Sequence, residues 1–352
     1  MQKKKSRILL LREFLLKHTD EFHSVTADEL TKELSTDRRT LESDIETLTA
    51  AGMDIDREAR PNLSYKLLSR EFDPEELKLL LDCVQVSKFL SQKKTDELSE
   101  KIYALCSKHE AAQLQRQIHR NHIKSDNEKV YRLLDNIHKA LTDERPSPIE
   151  FKYFQYLPSM EKQYRNDDKL YCVCPFGVVY ADENYYLIAH EISMDISPTL
   201  ETVKHFRIDR MGEVNIINIK ESDNNTRLNK LSYARSCKLL KNIDIDNYTK
   251  QNFAMYGGAV EKVTIRFPDH MANVVADRFG MGANIVQKRG GYFEIIENIA
   301  VSPQFYGWIF GLGKDVKILD PPHVAQGMKD LLKDTYNCYT LKRNRKKDVG
   351  NF

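Results

Sequence analysis

The sequence predicts a multidomain α+β chain, helical in its first part and built of short strands in the rest. Three observations carry that reading. Apolar residues recur at helical spacing from the N-terminus to about Leu141. At Arg145-Pro146-Ser147-Pro148 the pattern changes to short alternating and apolar runs separated by turns. The chain has 352 residues, which leaves room for two or three domains at roughly 100–200 residues each.

Composition bounds the function. With 54 Lys and Arg against 52 Asp and Glu, the net charge is +2. That excludes a uniform blanket of positive charge, so any nucleic-acid binding must come from local placement. No run of about 18 apolar residues exists, so no membrane span is expected. The basic start followed by Ile8-Leu9-Leu10-Leu11 is broken by Arg12 and Glu13 and reads as a helix, not a signal peptide. Six irregularly spaced cysteines are expected to be reduced thiols of a cytoplasmic protein. Cys172 and Cys174, at C-x-C spacing, read as buried small hydrophobes on one face of a strand; no metal site is expected.

Residues 3–16 are the first helix, with Ile8, Leu11 and Leu15 at helical spacing. Thr26-Ala27-Asp28-Glu29 is a capping box opening the second, which buries Leu30 and Leu34. After a break at Ser35-Thr36-Asp37, a third helix with Leu41, Ile45 and Leu48 inside runs to about Ala51 and stops at Gly52. Three short helices with a tight turn between the last two form a helix-turn-helix pattern. Met53-Asp54-Ile55 and Ser64-Tyr65-Lys66-Leu67-Leu68 read as a hairpin around a polar turn with Arg57, Arg60 and Asn62, which makes residues 1–70 a winged helix-turn-helix. With Leu41 inward, Thr36, Arg39, Ser43 and Glu46 face outward, and Thr40 and Glu42 flank them. The candidate DNA-binding residues are Lys4, Lys5, Thr36, Arg38, Arg39, Thr40, Ser43, Arg60 and Asn62. The basic ones, like the leading segment Lys3 to Arg7, stand where a recognition helix needs phosphate contacts. Glu42, Asp44 and Glu46 make the third helix acidic; Asp44 is expected inward or sideways, and Glu42 could accept from a cytosine amino group. The competing reading is a helical bundle that packs on another protein.

Residues 71–143 read as a helical linker. Asp73-Pro74-Glu75-Glu76 starts a helix with an apolar stripe through Leu77, Leu80, Leu81 and Val84. The segment is either a spacer or a dimerisation element. Between residues 144 and 220, four or five short strands predict a small antiparallel barrel. A connector, 221–258, leads to residues 259–341. There the order is strand Val263–Phe267, helix to Phe279, hairpin at Arg289-Gly290-Gly291-Tyr292, helix Pro303–Phe310 and strand Val316–Leu319. That β-α-β-β-α-β order is ferredoxin-like. Residues 342–352 form a basic tail, expected to be disordered.

No phosphate loop, G-x-S-x-G elbow or His/carboxylate metal spacing occurs, so the chain is not expected to be an enzyme and no cofactor is expected.

Taken in order, these segments resemble the WYL-domain transcriptional regulators of bacteria. Tyr185-Tyr186-Leu187 resembles the naming motif, with Tyr for Trp. Pro175-Phe176-Gly177-Val178-Val179 and Phe206-Arg207-Ile208-Asp209-Arg210 resemble its flanking hallmarks. Trp308-Ile309-Phe310-Gly311, Val316 to Pro322, Arg39-Thr40-Leu41 and Asp44 to Leu48 fit the other domains. Ser43 stands where the family often has a second Arg, and Ser64 where the wing often has Gly, so no DNA sequence preference carries over. The resemblance implies an SH3/Sm-like barrel that senses a nucleic acid or nucleotide-like anion, in a homodimer that binds operator DNA and has no membrane partner. The expected ligand residues are Tyr153, Lys169, Tyr186, His190, His205, Arg207 and Arg210. Strand alternation turns Phe206 inward and Arg207 outward; the position of Arg210 depends on where the strand ends. Tyr185 is expected in the core. Arg207 could instead simply pair with Asp209. The alternative function is an accessory protein whose barrel holds single strands without operator specificity.

Overall fold

The computed structural model describes residues 2–59, 62–117, 124–142, 144–192, 199, 202–218, 230–241 and 243–340, with the backbone alone for residues 2–5. Arg60, the side chains of Lys4 and Lys5, and the basic tail lie outside the described residues. The chain forms two compact units, residues 1–128 and 129–352.

In the first unit, α1 (Gln2–His18), α2 (Ala27–Glu33) and α3 (Arg38–Ala50) pack around Leu11, Leu15, Leu30, Leu41 and Leu48. The capping box forms as expected: Thr26 Oγ1 accepts from the Glu29 N–H, and the Thr26 N–H donates to Glu29 Oε2 at 2.9 Å. Asp37 caps α3, accepting from the Thr40 N–H at 2.9 Å. The wing is β2 (Ile55–Glu58) paired with β3 (Ser64–Leu67), whose other edge takes a two-residue strand, β1 (Val25–Thr26), too short to be read from sequence. Three more helices follow: α4 (Pro74–Val86), α5 (Gln92–Tyr103) and α6 (Lys108–Gln117). Leu77 and Leu81 are buried with Cys106 and Leu114, whereas Leu80 is exposed. The start of α6 is fastened to the winged helix: Ser107 donates to the buried Asp20 at 2.6 Å, and the His23 and His109 rings stack at 3.7 Å.

The second unit opens with α7 (Val130–Leu141), which sequence spacing assigns to the linker. Its stripe Val130, Leu133, Ile137 and Ala140 is buried, and Asn136 donates to the Val214 carbonyl at 3.0 Å. The main sheet has strands β4 (Ile149–Lys152), β7 (Leu170–Ala181), β8 (Asn184–Glu191), β9 (Val203–Arg207) and β10 (Asn215–Ile216), in antiparallel order β10-β4-β7-β8-β9. A hairpin of β5 (Phe154–Tyr156) and β6 (Lys162–Tyr164), unread from sequence, interrupts it. A 3-10 turn at Ile208–Arg210 carries the chain from β9, one edge, to β10, the other, and Met211 bridges Tyr153 on the way. The two edges are thereby drawn together and the sheet curls into a small barrel. Two apolar runs flanking Pro175 turn out to be one long strand, β7, with a register break between Pro175 and Gly177. Proline lacks the N–H that the ladder would use there. Phe151, Tyr153, Tyr171 and Phe206 meet inside. The opposite face of β7–β9 is covered by α8 (Lys230–Leu240) and α9 (Ile245–Gln251), connector helices that sequence spacing does not reveal.

The C-terminal part is β11 (Val260–Pro268), α10 (Ala272–Phe279), β12 (Ile285–Lys288), β13 (Tyr292–Ala300), α11 (Pro303–Gly311) and β14 (Lys317–Asp320). Its antiparallel sheet order, β12-β13-β11-β14, is the ferredoxin-like arrangement expected. Gly290 and Gly291 turn the β12–β13 hairpin at φ of 86° and 80°, a region that other residues enter at a cost. A further helix, α12 (Pro322–Thr340), follows β14 beyond the ferredoxin-like order that the sequence predicts. No helix of the described residues is long and apolar enough to cross a membrane, and no cluster of metal-ligating side chains occurs among them.

Candidate DNA-binding and ligand sites

On the winged helix, α3 presents Arg39, Ser43 and Glu46 to solvent beside the exposed Asn62 of the wing. Most of the other basic groups are occupied. Arg7, expected among the phosphate contacts, donates through Nε to Asp44 at 2.6 Å and through Nη2 at 3.2 Å. Asp44 is fully buried, so the pair is structural and Arg7 is committed to holding α1 against α3. Asp44 does point inward, and Arg7 is the cation that makes its burial tolerable. Arg38 pairs with Asp28 at 2.7 Å, and Arg57 with Glu42 at 3.1 Å, both on the open surface. Exposed pairs of this kind are weak, and a phosphate can displace the carboxylate. Lys66 sits between Glu58 and Asp56. Arg39 pairs with no carboxylate among the described residues. Thr40 is half-buried and spends its hydroxyl on Asp37 at 2.9 Å, so it shapes the start of α3. Thr36 is half-buried in the turn before α3.

On the barrel, register decides which expected ligand residues meet. Tyr186 pairs with Arg207, Ile188 with His205, and His190 with Val203. Tyr186, His190, His205 and Arg207 therefore share one face, but they meet different neighbours along it. His190 is buried, with Nδ1 2.9 Å from the Ser236 hydroxyl of α8. His205 hydrogen-bonds through Nδ1 to the Met255 carbonyl at 2.6 Å and through Nε2 to the Tyr248 hydroxyl at 2.8 Å. The carbonyl can only accept, so Nδ1 carries the proton and Nε2 accepts from Tyr248. Burial holds both histidines below their ordinary range, for His205 against the pull of the Met255 carbonyl. Both fasten the connector to the barrel, a different use from the ligand contact expected of them.

Tyr153 is buried within the barrel, edge-on to Phe206, and its hydroxyl accepts from the Arg207 N–H at 3.1 Å. It helps close the barrel and offers no open stacking face. Lys169 is engaged with Glu191 at 2.5 Å and lies over the Tyr171 ring at 5.0 Å. Tyr185, expected in the core, is half-exposed and packs on Tyr180 across the strand pair, while its neighbour Tyr186 is the buried one.

Tyr186, Arg207, Asp209 and Arg210 remain as a cluster where β9 ends. Phe206 turns inward and Arg207 outward, as alternation requires. Arg207 makes a two-pronged pair with Asp209, at 3.1 and 2.8 Å. Burial is the largest single influence and works against its charge, but the hydrogen bond to Asp209 and the Asp209 charge, with smaller help from Tyr186 and Tyr153, together hold the guanidinium above its ordinary range. Burial pushes the Tyr186 hydroxyl up, against the nearby Arg207 and Arg210. Arg210 lies in the 3-10 turn, and its Nε is buried with no acceptor among the described residues. Nearly all buried donors have partners, and this one has none among the described residues.

Sequence reasoning missed Arg278. Its guanidinium lies over Phe253 at 4.0 Å and donates to the carbonyls of Lys250 and Asn252. It lines a cleft of about 550 Å³ with Asp182, Trp308 and Gln304, whose Oε1 is also buried without a partner. Nothing local marks Arg278, which stands on an ordinary amphipathic helix.

An HTH-domain family model matches residues 7–66, a WYL-domain model residues 132–216 and a WCX-domain model residues 259–336. Among solved structures, proteasome accessory factor B/C (PafBC) of Arthrobacter aurescens is 15% identical, over 96% of this chain and 49% of that one, at a TM-score of 0.26. The chain thus spans about half the length of that relative. A CRISPR Cas-related protein is 13% identical over 75% of this chain and 80% of its own, at a TM-score of 0.35. No curated protein matches the chain. By its three domains in this order, the chain belongs to the WYL-domain helix-turn-helix transcriptional regulators.

Proposed function

We propose that this is a homodimeric bacterial regulator that binds duplex operator DNA through α3 and the wing. Its barrel adjusts that binding to an anionic ligand, a nucleic acid or a nucleotide-like molecule, at Tyr186, Arg207 and Arg210. The observation that carries the ligand half is the bare, buried Nε of Arg210 beside the Arg207–Asp209 fork. A buried donor left unpaired costs about 1–3 kcal/mol, which a phosphate oxygen would recover. The ligand acts by binding one arrangement of the dimer better than another. Exposed apolar stripes at helical spacing support self-association: Leu79 and Val86 on α4, and Leu332, Tyr336 and Tyr339 on α12. In this reading the protein works in the cytoplasm, without a cofactor and without a catalytic step.

The test is fluorescence anisotropy of the full chain on a duplex selected from a random pool, with and without a short single-stranded oligonucleotide. A regulator prefers the selected duplex over random duplex by a large ratio. Arg207→Ala with Arg210→Ala is expected to keep duplex binding and abolish the response to the oligonucleotide. A double variant that still responds removes this site from the reading. The exposed rings of Tyr156, Tyr164 and Tyr180 favour a second reading, an accessory protein that stacks single strands on its barrel. It would show a steep salt dependence and little preference among duplexes.

A further inference from the structure

Helix α8 is fastened to the barrel at one rung of the β7–β8 ladder. Cys174 and His190 are the paired residues of that rung. Two consecutive α8 residues reach them. Ser236 hydrogen-bonds to His190, and Cys237 Sγ lies 4.0 Å from Cys174 Sγ. All six cysteines are thiols, so this is a buried dithiol and not a disulfide. A disulfide needs the sulfurs at about 2.05 Å, so a closure of about 2 Å separates the dithiol from the crosslinked state.

The two thiols are not equivalent. Cys174 is fully enclosed, while Cys237 keeps some exposure. The Cys174 hydrogen bond is the largest influence drawing the Cys237 thiol below its ordinary range, against burial, and the positive charge of Arg145 adds to it. The Tyr233 hydroxyl proton is held by the Pro146 carbonyl at 2.9 Å, so its help is small. The first proton to leave the pair leaves from Cys237. A thiolate, not a thiol, is the nucleophile toward peroxides.

We propose that Cys174 and Cys237 are an oxidisable pair that hydroperoxides convert to a disulfide, bolting α8 to β7. The Cys237 thiolate attacks the peroxide: an S–O bond forms, the O–O bond breaks, and the departing hydroxide takes a proton to become water (or an alcohol, from an organic hydroperoxide). The sulfenic acid then condenses with the Cys174 thiol: the S–S bond forms, the S–O bond breaks, and a water leaves. The two thiols together give up two electrons, and the peroxide takes them. The product pins the helical layer that covers His190, so oxidation sets how freely that layer moves on the sensor barrel.

The experiment uses the full chain with the exposed Cys83 and Cys338 changed to Ser, which removes intermolecular crosslinking. The protein is titrated with hydrogen peroxide, digested without reduction and mapped by mass spectrometry. Expected is a crosslink joining the peptides that hold residues 174 and 237, released by dithiothreitol, with a reversible rise in melting temperature. Cys106, whose thiol burial pushes up to about 11, should remain unmodified as an internal control. Because Cys172 shares a proteolytic peptide with Cys174, the crosslink must survive Cys172→Ser. Cys174→Ser should leave Cys237 trapped as a sulfenic or sulfinic acid, whereas Cys237→Ser should leave Cys174 as a thiol. A crosslink that vanishes with Cys172→Ser in a folded protein, or peroxide treatment that leaves residues 174 and 237 unlinked, overturns the proposal. The crosslink map of the parent protein decides this even if a single variant fails to fold.

Discussion

The recognition helix and the end of β9 both present arginines, and they are built in opposite ways. Around α3, Arg38 and Arg57 lie on the surface with exposed carboxylate partners. Water screens these pairs, and they cost little to break, so DNA phosphates can take them over. At the barrel, Arg207 is half-buried with a two-pronged partner, and Arg210 has a buried donor with none. There the surroundings are dry enough that an incoming anion must match the positions of the donors to gain anything. The first arrangement suits a long, repetitive polyanion. The second suits one molecule in one pose.

The largest way to break this comparison is to disturb the buried pair that underlies the exposed face. Arg7→Ala leaves Asp44 buried and uncompensated, and should destabilise the N-terminal unit by roughly 3 kcal/mol, read as a lower urea midpoint of its transition. An unchanged midpoint would mean that the Arg7–Asp44 pair does not hold α1 against α3. Next, Arg39→Ala should weaken operator binding about fivefold or more, for a loss of about 1–3 kcal/mol, with folding unchanged. Anisotropy at fixed salt measures it, and full affinity would remove α3 from the interface.

The third concerns pH. His190 and His205 are held low chiefly by burial, so the unfolded chain takes up their protons first, near pH 6.5. Their contribution to stability is complete above that pH and is lost as pH falls below it. The urea midpoint of the C-terminal unit should therefore drop between pH 7.5 and 5.5, and His205→Gln should flatten that dependence. A slope that His205→Gln leaves untouched would place the titration elsewhere. The smallest effect is expected from Arg38→Ala. Its exposed partner Asp28 keeps its own hydration, so stability should not change measurably, and DNA affinity should fall less than for Arg39→Ala.

Much of this was legible along the chain. The capping box at Thr26 and Glu29, the cap at Asp37 and the glycine pair of the β12–β13 hairpin act within a few residues, and each marks its element directly. The β-α-β-β-α-β order survives because every one of its elements carries its own periodicity. Short or tertiary-dependent elements were not legible. Strand β1 has two residues and exists only because β3 offers an edge. The helices α8 and α9 gain their burial from strands far earlier in the chain.

The site divides the same way. Alternation alone turned Phe206 in and Arg207 out, and it put His205 on the face of Arg207. It could not say what covers that face. Tyr248 and the Met255 carbonyl close over His205 from 43 and 50 residues away, and Ser236 reaches His190 from 46. Tyr153 became a wall of the barrel because the 3-10 turn brought Arg207 and Met211 to it. Period and local capping along the chain set the longer elements, their order and the faces of their strands, because each of these carries its own signal. Which charged groups are spent on one another emerges with the packing, because a partner 37 residues away, as Asp44 is from Arg7, leaves no local trace.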